Sequence, residues 1–303
     1  MEILTRRIYE FLASLWLMRW KKSTWVYFLI NVFKILPYGF FKERVIGKYS
    51  LHLDPGDKHD SLYYFSSVGF SYETLLRKII NPGDIVFDVG ASVGHFSCLA
   101  AKYVGGDGRV YSFEANLKSY EKLEKSVAGF PMGPIRIYNV AVWSSSGDMP
   151  FYVADNSGWS SLRQHPDPVK QSFNLKEIIQ VKAISLDEFF ESENIKQVRM
   201  LKLDIEGGES DALIGSRKIL AGNSVNSIFM EYSTRGLEAF DRRGTETHKM
   251  LMDFGFIPVL MVESDKIRPF DVFPSFDAVK TFDLFYVCSS MSEEIKRSLL
   301  GEY

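Results

Sequence analysis

The chain is expected to fold as an α/β protein, with a mostly parallel sheet of seven strands, helices on both faces, and a helical, aromatic and basic N-terminal extension ahead of it. Three observations point there. From residue 85 onward, short apolar stretches of strand character alternate with stretches of helical spacing. A glycine-bearing turn, Asp88-Val-Gly90-Ala91-Ser92-Val-Gly94, joins the first of those strands to the first of those helices. Acidic residues stand at the carboxyl ends of four strands, the edge where a doubly wound sheet places its ligand.

The elements follow in order. Residues 1–48 hold nine Lys/Arg against three acids, together with aromatics such as Trp20 and two short apolar runs that contain Trp16, Trp25, Tyr27 and Phe28. Arg19, Lys21, Asn31, Lys34 and Pro37 close or interrupt those runs, so neither reaches the roughly 18 apolar residues of a membrane span. Glu2 and the lack of a small-residue cleavage site argue against a signal peptide. The composition suits peripheral contact with an anionic membrane, or helices packed on the sheet domain or on a second subunit of a homo-oligomer. Residues 47–57 alternate and end in a Pro-Gly turn, a strand or hairpin. Residues 1–70 thus read as an extension or cap, and residues 71–303 as the main domain.

Residues 71–80 have helical spacing and stop at Asn81-Pro82-Gly83-Asp84. Strands are expected at 85–88, 109–114, 135–141, 200–205, 227–232, 257–262 and 281–288, and helices at 95–103, 117–128, 185–191, 209–220 and 245–254. Residues 144–181, rich in Ser, Gly and Pro, read as an insertion: a strand-like stretch at 149–153, then a polar loop placed to close as a lid. Of 303 residues, 46% are apolar, enough for one large core. The net charge of −2 gives no sign of nucleic-acid binding. The two cysteines, Cys98 and Cys288, are distant and sit in apolar stretches, which fits a reducing, cytoplasmic compartment.

The four strand-end acids are Asp88, Glu114, Asp204 and Glu231. Any one alone would read as a cap for the following helix; four on one edge call for a ligand. The turn lacks the G-x-G-x-x-G spacing that seats a pyrophosphate. It fits a cofactor without phosphate, such as S-adenosylmethionine, whose methionine ammonium favours a carboxylate like Asp88. Glu114, at the tip of the second strand, can accept both ribose hydroxyls. In Leu201-Lys202-Leu203-Asp204-Ile205-Glu206-Gly207-Gly208-Glu209, period two puts Lys202, Asp204 and Glu206 on one face of an inner strand, where charges need partners or a cavity.

These blocks, with Asn139-Val-Ala141-Val and Ser185-Leu-Asp-Glu, together resemble the FkbM-type methyltransferase family over roughly residues 69–290. Gly69-Phe-Ser-Tyr-Glu73 is similar to the family's Gly-x-Tyr-Glu element, and the family usually has Asn where this chain has Ser92. The resemblance implies a class I (Rossmann-like) fold and O-methylation with S-adenosylmethionine of a hydroxyl on a sugar, glycan or other small natural product. It implies cofactor contacts at Asp88, Gly90, Ala91, Gly94, Glu114, Asn139, Ala141 and Glu73.

An alcohol needs a base or a metal before it attacks the methyl carbon. Asp204 is the first candidate, as direct base or as ligand of a magnesium ion completed by Glu206 and Glu231, with Lys202 balancing charge. His95 suits a cofactor contact or simple packing; His165 reads as a solvated loop residue and His248 as an exposed helix residue, while His52 and His59 carry no assignment. A nicotinamide-dependent oxidoreductase would need a third glycine at Phe96 or Ser97, which is absent, and a non-catalytic shell would show a decayed acidic edge, which is intact.

Overall fold

The computed structural model describes residues 43–46, 49–54, 57, 59–60, 70–130, 133–154, 157–163, 175–233, 243–263, 266–271 and 281–290. The expected helices of residues 1–42 and His165 lie outside these. The first described elements are strands β1 (Glu43–Ile46) and β2 (Tyr49–His52) and helix α1 (Phe70–Ile79). Next come β3 (Ile85–Val89), α2 (His95–Val104), β4 (Arg109–Phe113), α3 (Leu117–Ala128) and β5 (Ile135–Tyr138). An inserted unit holds β6 (Ala141–Val142), β7 (Gly147–Ala154), a 3-10 turn Ser157–Trp159 and β8 (Leu175–Ile184). The rest is α4 (Leu186–Ser192), β9 (Met200–Leu203), α5 (Glu209–Ile214), α6 (Arg217–Ala221) and β10 (Ser227–Ser233). The last described elements are α7 (Arg243–Asp253), β11 (Phe256–Glu263), β12 (Lys266–Pro269) and β13 (Thr281–Cys288).

The main sheet runs β12-β11-β13-β10-β9-β3-β4-β5. Its seven expected strands are present, and β12 adds a four-residue edge strand. The run from β10 to β5 is parallel, and β13, β11 and β12 are antiparallel. From β3 the chain steps through β4 to β5, then returns to place β9 and β10 on the other side of β3. Strand order therefore reverses between β3 and β9, and a crevice opens at their carboxyl ends.

Alternate residues of the inner strands feed two cores, as a sheet covered on both faces requires. Phe87, Phe113, Leu201 and Leu203 pack on one face, where Phe189 meets Phe87, Phe113 and Tyr138 edge-on at 4.9–5.8 Å. Val86, Val110 and Met200 pack on the other with Leu76 and Leu99. Leu51 and Leu53 join that second core, and the His52 N–H donates to Ser126 Oγ of α3 at 2.8 Å.

Two elements differ from expectation. The single helix at 209–220 is two, because Asp187 starts a new one: its carboxylate accepts the N–H groups of Lys218 and Ile219, both at 3.0 Å. Residues 175–181 are not loop but part of strand β8, paired with β7 and, through Ala183 and Ile184, with β6. Only its last residues alternate, with Val181 and Ala183 buried and Gln180 and Lys182 exposed, so most of the strand shows no period-two signal.

Candidate active site

The crevice widens into a cleft of about 910 Å³, part of it open to solvent. Its lining includes Gly90, Ala91, Glu114, Ala141, Lys202, Asp204 and Glu206. Val140, Trp143 and Phe151 supply apolar wall. The turn after β3 is drawn under β4, since the N–H groups of Gly90 and Ala91 both donate to Phe113 O at 3.0 Å. Gly90 sits at φ +79°, and a Cβ there would lie 1.9 Å from the Asp204 carbonyl oxygen. Only glycine lets the ends of β3 and β9 approach this closely.

Glu114 is buried, and each carboxylate oxygen accepts one backbone N–H, Ser92 at Oε2 and Asn116 at Oε1, both at 2.8 Å. A carboxylate has about four lone-pair sites, so acceptor capacity remains for a ligand in the cleft. Burial pushes the carboxyl up to about 7, against the two N–H bonds and Lys202, which favour the anion.

Lys202 is the hub of the edge. Its ammonium donates to Gly90 O at 2.9 Å and lies 3.1 Å from Asp88 Oδ1 and 3.4 Å from Asp204 Oδ2. Asp88 and Lys202 are direct partners in the β3–β9 register, so a buried anion faces a buried cation. β9 ends at Leu203, so Asp204 and Glu206 are not carried by the pleat as the alternation implied. A tight loop brings them in instead, with Glu206 at φ +55° and Gly207 at φ +97°. The buried Glu209 carboxylate holds that loop by accepting the N–H groups of Ile205 at 2.9 Å and Gly207 at 3.0 Å. Burial pushes Glu209 up to about 7 as well. Carboxylate oxygens of Asp204, Glu206 and Glu231 come within 4.8 Å of one another. Burial, then the charges of Asp204 and Glu206, hold the Glu231 carboxyl well above its ordinary range.

Four expected cofactor residues are placed elsewhere. Asp88 is fully buried behind Lys202, with Ser97 Oγ donating to its other oxygen at 2.5 Å, and does not line the cleft. Gly94 caps α2, where a Cβ would meet Leu123 at 2.7 Å, so it serves helix packing. The Asn139 amide donates to the carbonyls of Glu114 at 2.8 Å and Ala115 at 3.2 Å, propping the loop that carries Glu114. Glu73 pairs with Lys102 at 2.5 Å and Tyr103 at 3.3 Å on the outer surface. His95 is buried at the start of α2 and lines the cleft. His248 is half-buried, not exposed; its Nδ1 lies 2.7 Å from Tyr286 Oη, and burial pushes its pKa down. The lining also includes Tyr72, from the Gly69-Phe-Ser-Tyr-Glu73 element, together with His59, Ser157 and Gly158, which stand outside the acidic-edge pattern and carried no signal in the sequence.

The Methyltransferase FkbM domain profile matches residues 88–266, a span that contains the turn after β3 and all four strand-end acids. The hexuronic acid methyltransferase AglP of Haloferax volcanii is 27% identical over 157 residues, covering 52% of this chain and 59% of its own. The 2-O-methyltransferase NoeI of Sinorhizobium fredii is 23% identical over 177 residues, covering 54% and 68%. This chain thus spans less than two thirds of the length of the Haloferax relative. The crystal structure of methyltransferase FkbM from Methylobacillus flagellatus KT aligns with a TM-score of 0.44 at 13% identity, over 71% of this chain and 50% of that one. With the profile covering more than half of the sequence and enclosing the whole acidic edge, this chain belongs to the FkbM methyltransferase family.

Proposed function

We propose that the protein is an S-adenosylmethionine-dependent O-methyltransferase that modifies a hydroxyl of a sugar or glycan. The observation that carries this reading is the pairing, in one cleft, of a buried Glu114 with spare acceptor capacity and an Asp204 poised beside Lys202. The sugar acceptor is supported by the hexuronic acid named in the activity of the Haloferax relative, and oxygen as the methylated atom by the 2-O-methyltransferase activity of the Sinorhizobium relative.

The cofactor, when bound, supplies a methyl carbon activated by a sulfonium. Glu114 would accept the ribose hydroxyls, and Val140, Ala141 and Trp143 would offer apolar surface to the base. Asp204 would accept the hydroxyl proton as the oxygen–carbon bond forms and the carbon–sulfur bond breaks. Lys202 would hold Asp204 in place, its ammonium lying 3.4 Å from Asp204 Oδ2 and 3.1 Å from Asp88 Oδ1. The Asp204, Glu206 and Glu231 carboxylates are close enough to hold a divalent ion such as magnesium, which would acidify the hydroxyl in place of a direct base.

The test has two stages. S-adenosylhomocysteine, and not NAD, should raise the unfolding midpoint of the full chain; the reverse outcome would return the oxidoreductase reading. With a uronate-bearing glycan as acceptor, Asp204→Asn should abolish methyl transfer while S-adenosylhomocysteine affinity stays within about threefold, since the amide keeps the shape and removes the base. Activity lost in chelator and restored by magnesium selects the metal form; full activity in chelator selects the direct base.

A further inference from the structure

Two segments from outside the acidic edge meet over the cleft. One is the stretch around residues 57–60, ahead of α1 and outside the region matched to the family; the other is the turn Ser157–Trp159 of the insertion. Asp57 ties them together: Oδ1 accepts the His59 N–H at 2.8 Å, and Oδ2 accepts the Ser157 N–H at 3.3 Å. The fully buried Asp60 fastens the same stretch to α3, its Oδ2 accepting from Lys122 Nζ at 2.6 Å and from the Asp54 N–H at 2.7 Å.

So held, the His59 imidazole lines the cleft with Nδ1 3.4 Å from Ser92 Oγ. Ser92 in turn donates its N–H to Glu114, which puts His59 at the Glu114 end of the cleft. Gly158 backs the ring. A Cβ at Gly158 would lie 2.3 Å from His59 Cδ2, 2.7 Å from Cγ and 3.0 Å from Nε2, so no larger residue fits while the ring keeps this position. An imidazole tethered at its backbone, backed by a residue without a side chain, and bordering the ligand cavity is built as a wall for that ligand.

We infer that His59 is a cofactor-binding residue, clamped between Asp57 and Gly158 beside Glu114, so that the N-terminal stretch and the insertion close the cleft jointly over the ribose end of the cofactor. The inference rests on the S-adenosylmethionine reading above. The ring contributes contact surface and a polar edge that Ser92 already engages.

The experiment is calorimetry of S-adenosylhomocysteine on the full chain, for wild type, His59→Ala, Gly158→Ala and the double variant, with unfolding midpoints measured alongside. Each single variant should weaken binding about tenfold, and the double variant should be no more than about twofold worse than the weaker single, because Gly158→Ala acts by displacing the ring. His59→Ala affinity within twofold of wild type overturns the inference, as does a Gly158→Ala loss of the same size with and without His59. Should Gly158→Ala fail to fold, His59→Ala decides alone. A wild type that does not bind S-adenosylhomocysteine overturns the methyltransferase reading as well, which separates the two failures.

Discussion

Glu114 gives the sharpest prediction, because its burial, partners and titration all bear on one measurable affinity. Replacing it by alanine removes two charge-assisted acceptor positions for a bound ribose. Such bonds contribute about 1.5–3 kcal/mol each, offset in part because the buried charge is removed too, so a net loss of about 1–3 kcal/mol is expected, roughly fivefold to 150-fold in Kd. The pH dependence is a second, independent readout. With the carboxyl at about 7 in the free protein, about one tenth is ionised at pH 6 and about nine tenths at pH 8. If the ribose hydroxyls donate to the anion, the apparent Kd should be about tenfold weaker at pH 6 than at pH 8. Stability runs the opposite way. A carboxyl raised above its ordinary 4.5 contributes stability that is complete below that value and is lost as pH rises through about 7. Glu209 behaves alike, so the unliganded protein should lose stability between pH 5 and pH 7.5, by up to about 3 kcal/mol per group. Calorimetry from pH 6 to 8 on wild type and Glu114→Ala checks the first part, and denaturant unfolding checks the second. Unchanged affinity in a folded Glu114→Ala protein, or wild-type affinity that tightens as pH falls, would refute the reasoning.

The remaining predictions concern the frame of the site and the extension. Lys202→Met should leave the Asp88 carboxylate buried without its cation, costing about 3–5 kcal/mol in urea unfolding; a cost below about 1 kcal/mol would mean that Asp88 tolerates burial unaided. Gly90→Ala should destabilise by about 2 kcal/mol or more and weaken S-adenosylhomocysteine binding, since its Cβ must displace the Asp204 carbonyl; near-normal stability and binding would show that the β3 and β9 ends can part. Residues 1–48, with nine basic residues against three acids, have two readings that vesicles separate: membrane contact gives co-sedimentation with anionic vesicles that salt weakens and deletion of the segment abolishes, and a cap or dimer element gives binding to neither anionic nor neutral vesicles. Retention of vesicle binding after deletion would place the contact elsewhere.

Much of the architecture was legible because it rests on local signals. The apolar strands, the helical spacing of α2 and α3, and the glycine turn after β3 are short-range patterns with short-range causes. What escaped depends on partners far away in sequence. Asp88 and Glu114 look equivalent as strand-end acids, yet one register pairing puts Asp88 behind Lys202 while Glu114 borders the cleft. Glu73 and Asn139 carry the polarity expected of ligand contacts, but Lys102 and the carbonyls of Glu114 and Ala115 claim them first. The break between α5 and α6 follows from Asp187, some thirty residues upstream, and His59 lines the cleft beside Gly158 of the insertion, far along the chain.

The acidic edge therefore divides into two kinds of carboxylate with opposite relations to Lys202. Asp88 is enclosed and serves the lysine: it fixes the ammonium, which in turn reaches Gly90 O and Asp204 and so fastens the end of β9 to the end of β3. Asp204 is partly open and is served by the lysine, whose ammonium lies 3.4 Å from its Oδ2 where the side chain lines the cleft. Glu209 performs for the following loop what Asp88 performs for the strand, spending both oxygens on backbone N–H groups to hold Glu206 in a left-handed conformation. Such a conformation is unfavourable for a residue with a Cβ and persists where the surroundings over-determine it. The buried acids thus set the geometry, and the three partly exposed ones, Asp204, Glu206 and Glu231, are left with the capacity to take a proton or a cation. That separation explains how one short segment, residues 202–209, both completes the sheet core and presents reactive groups to the same cleft.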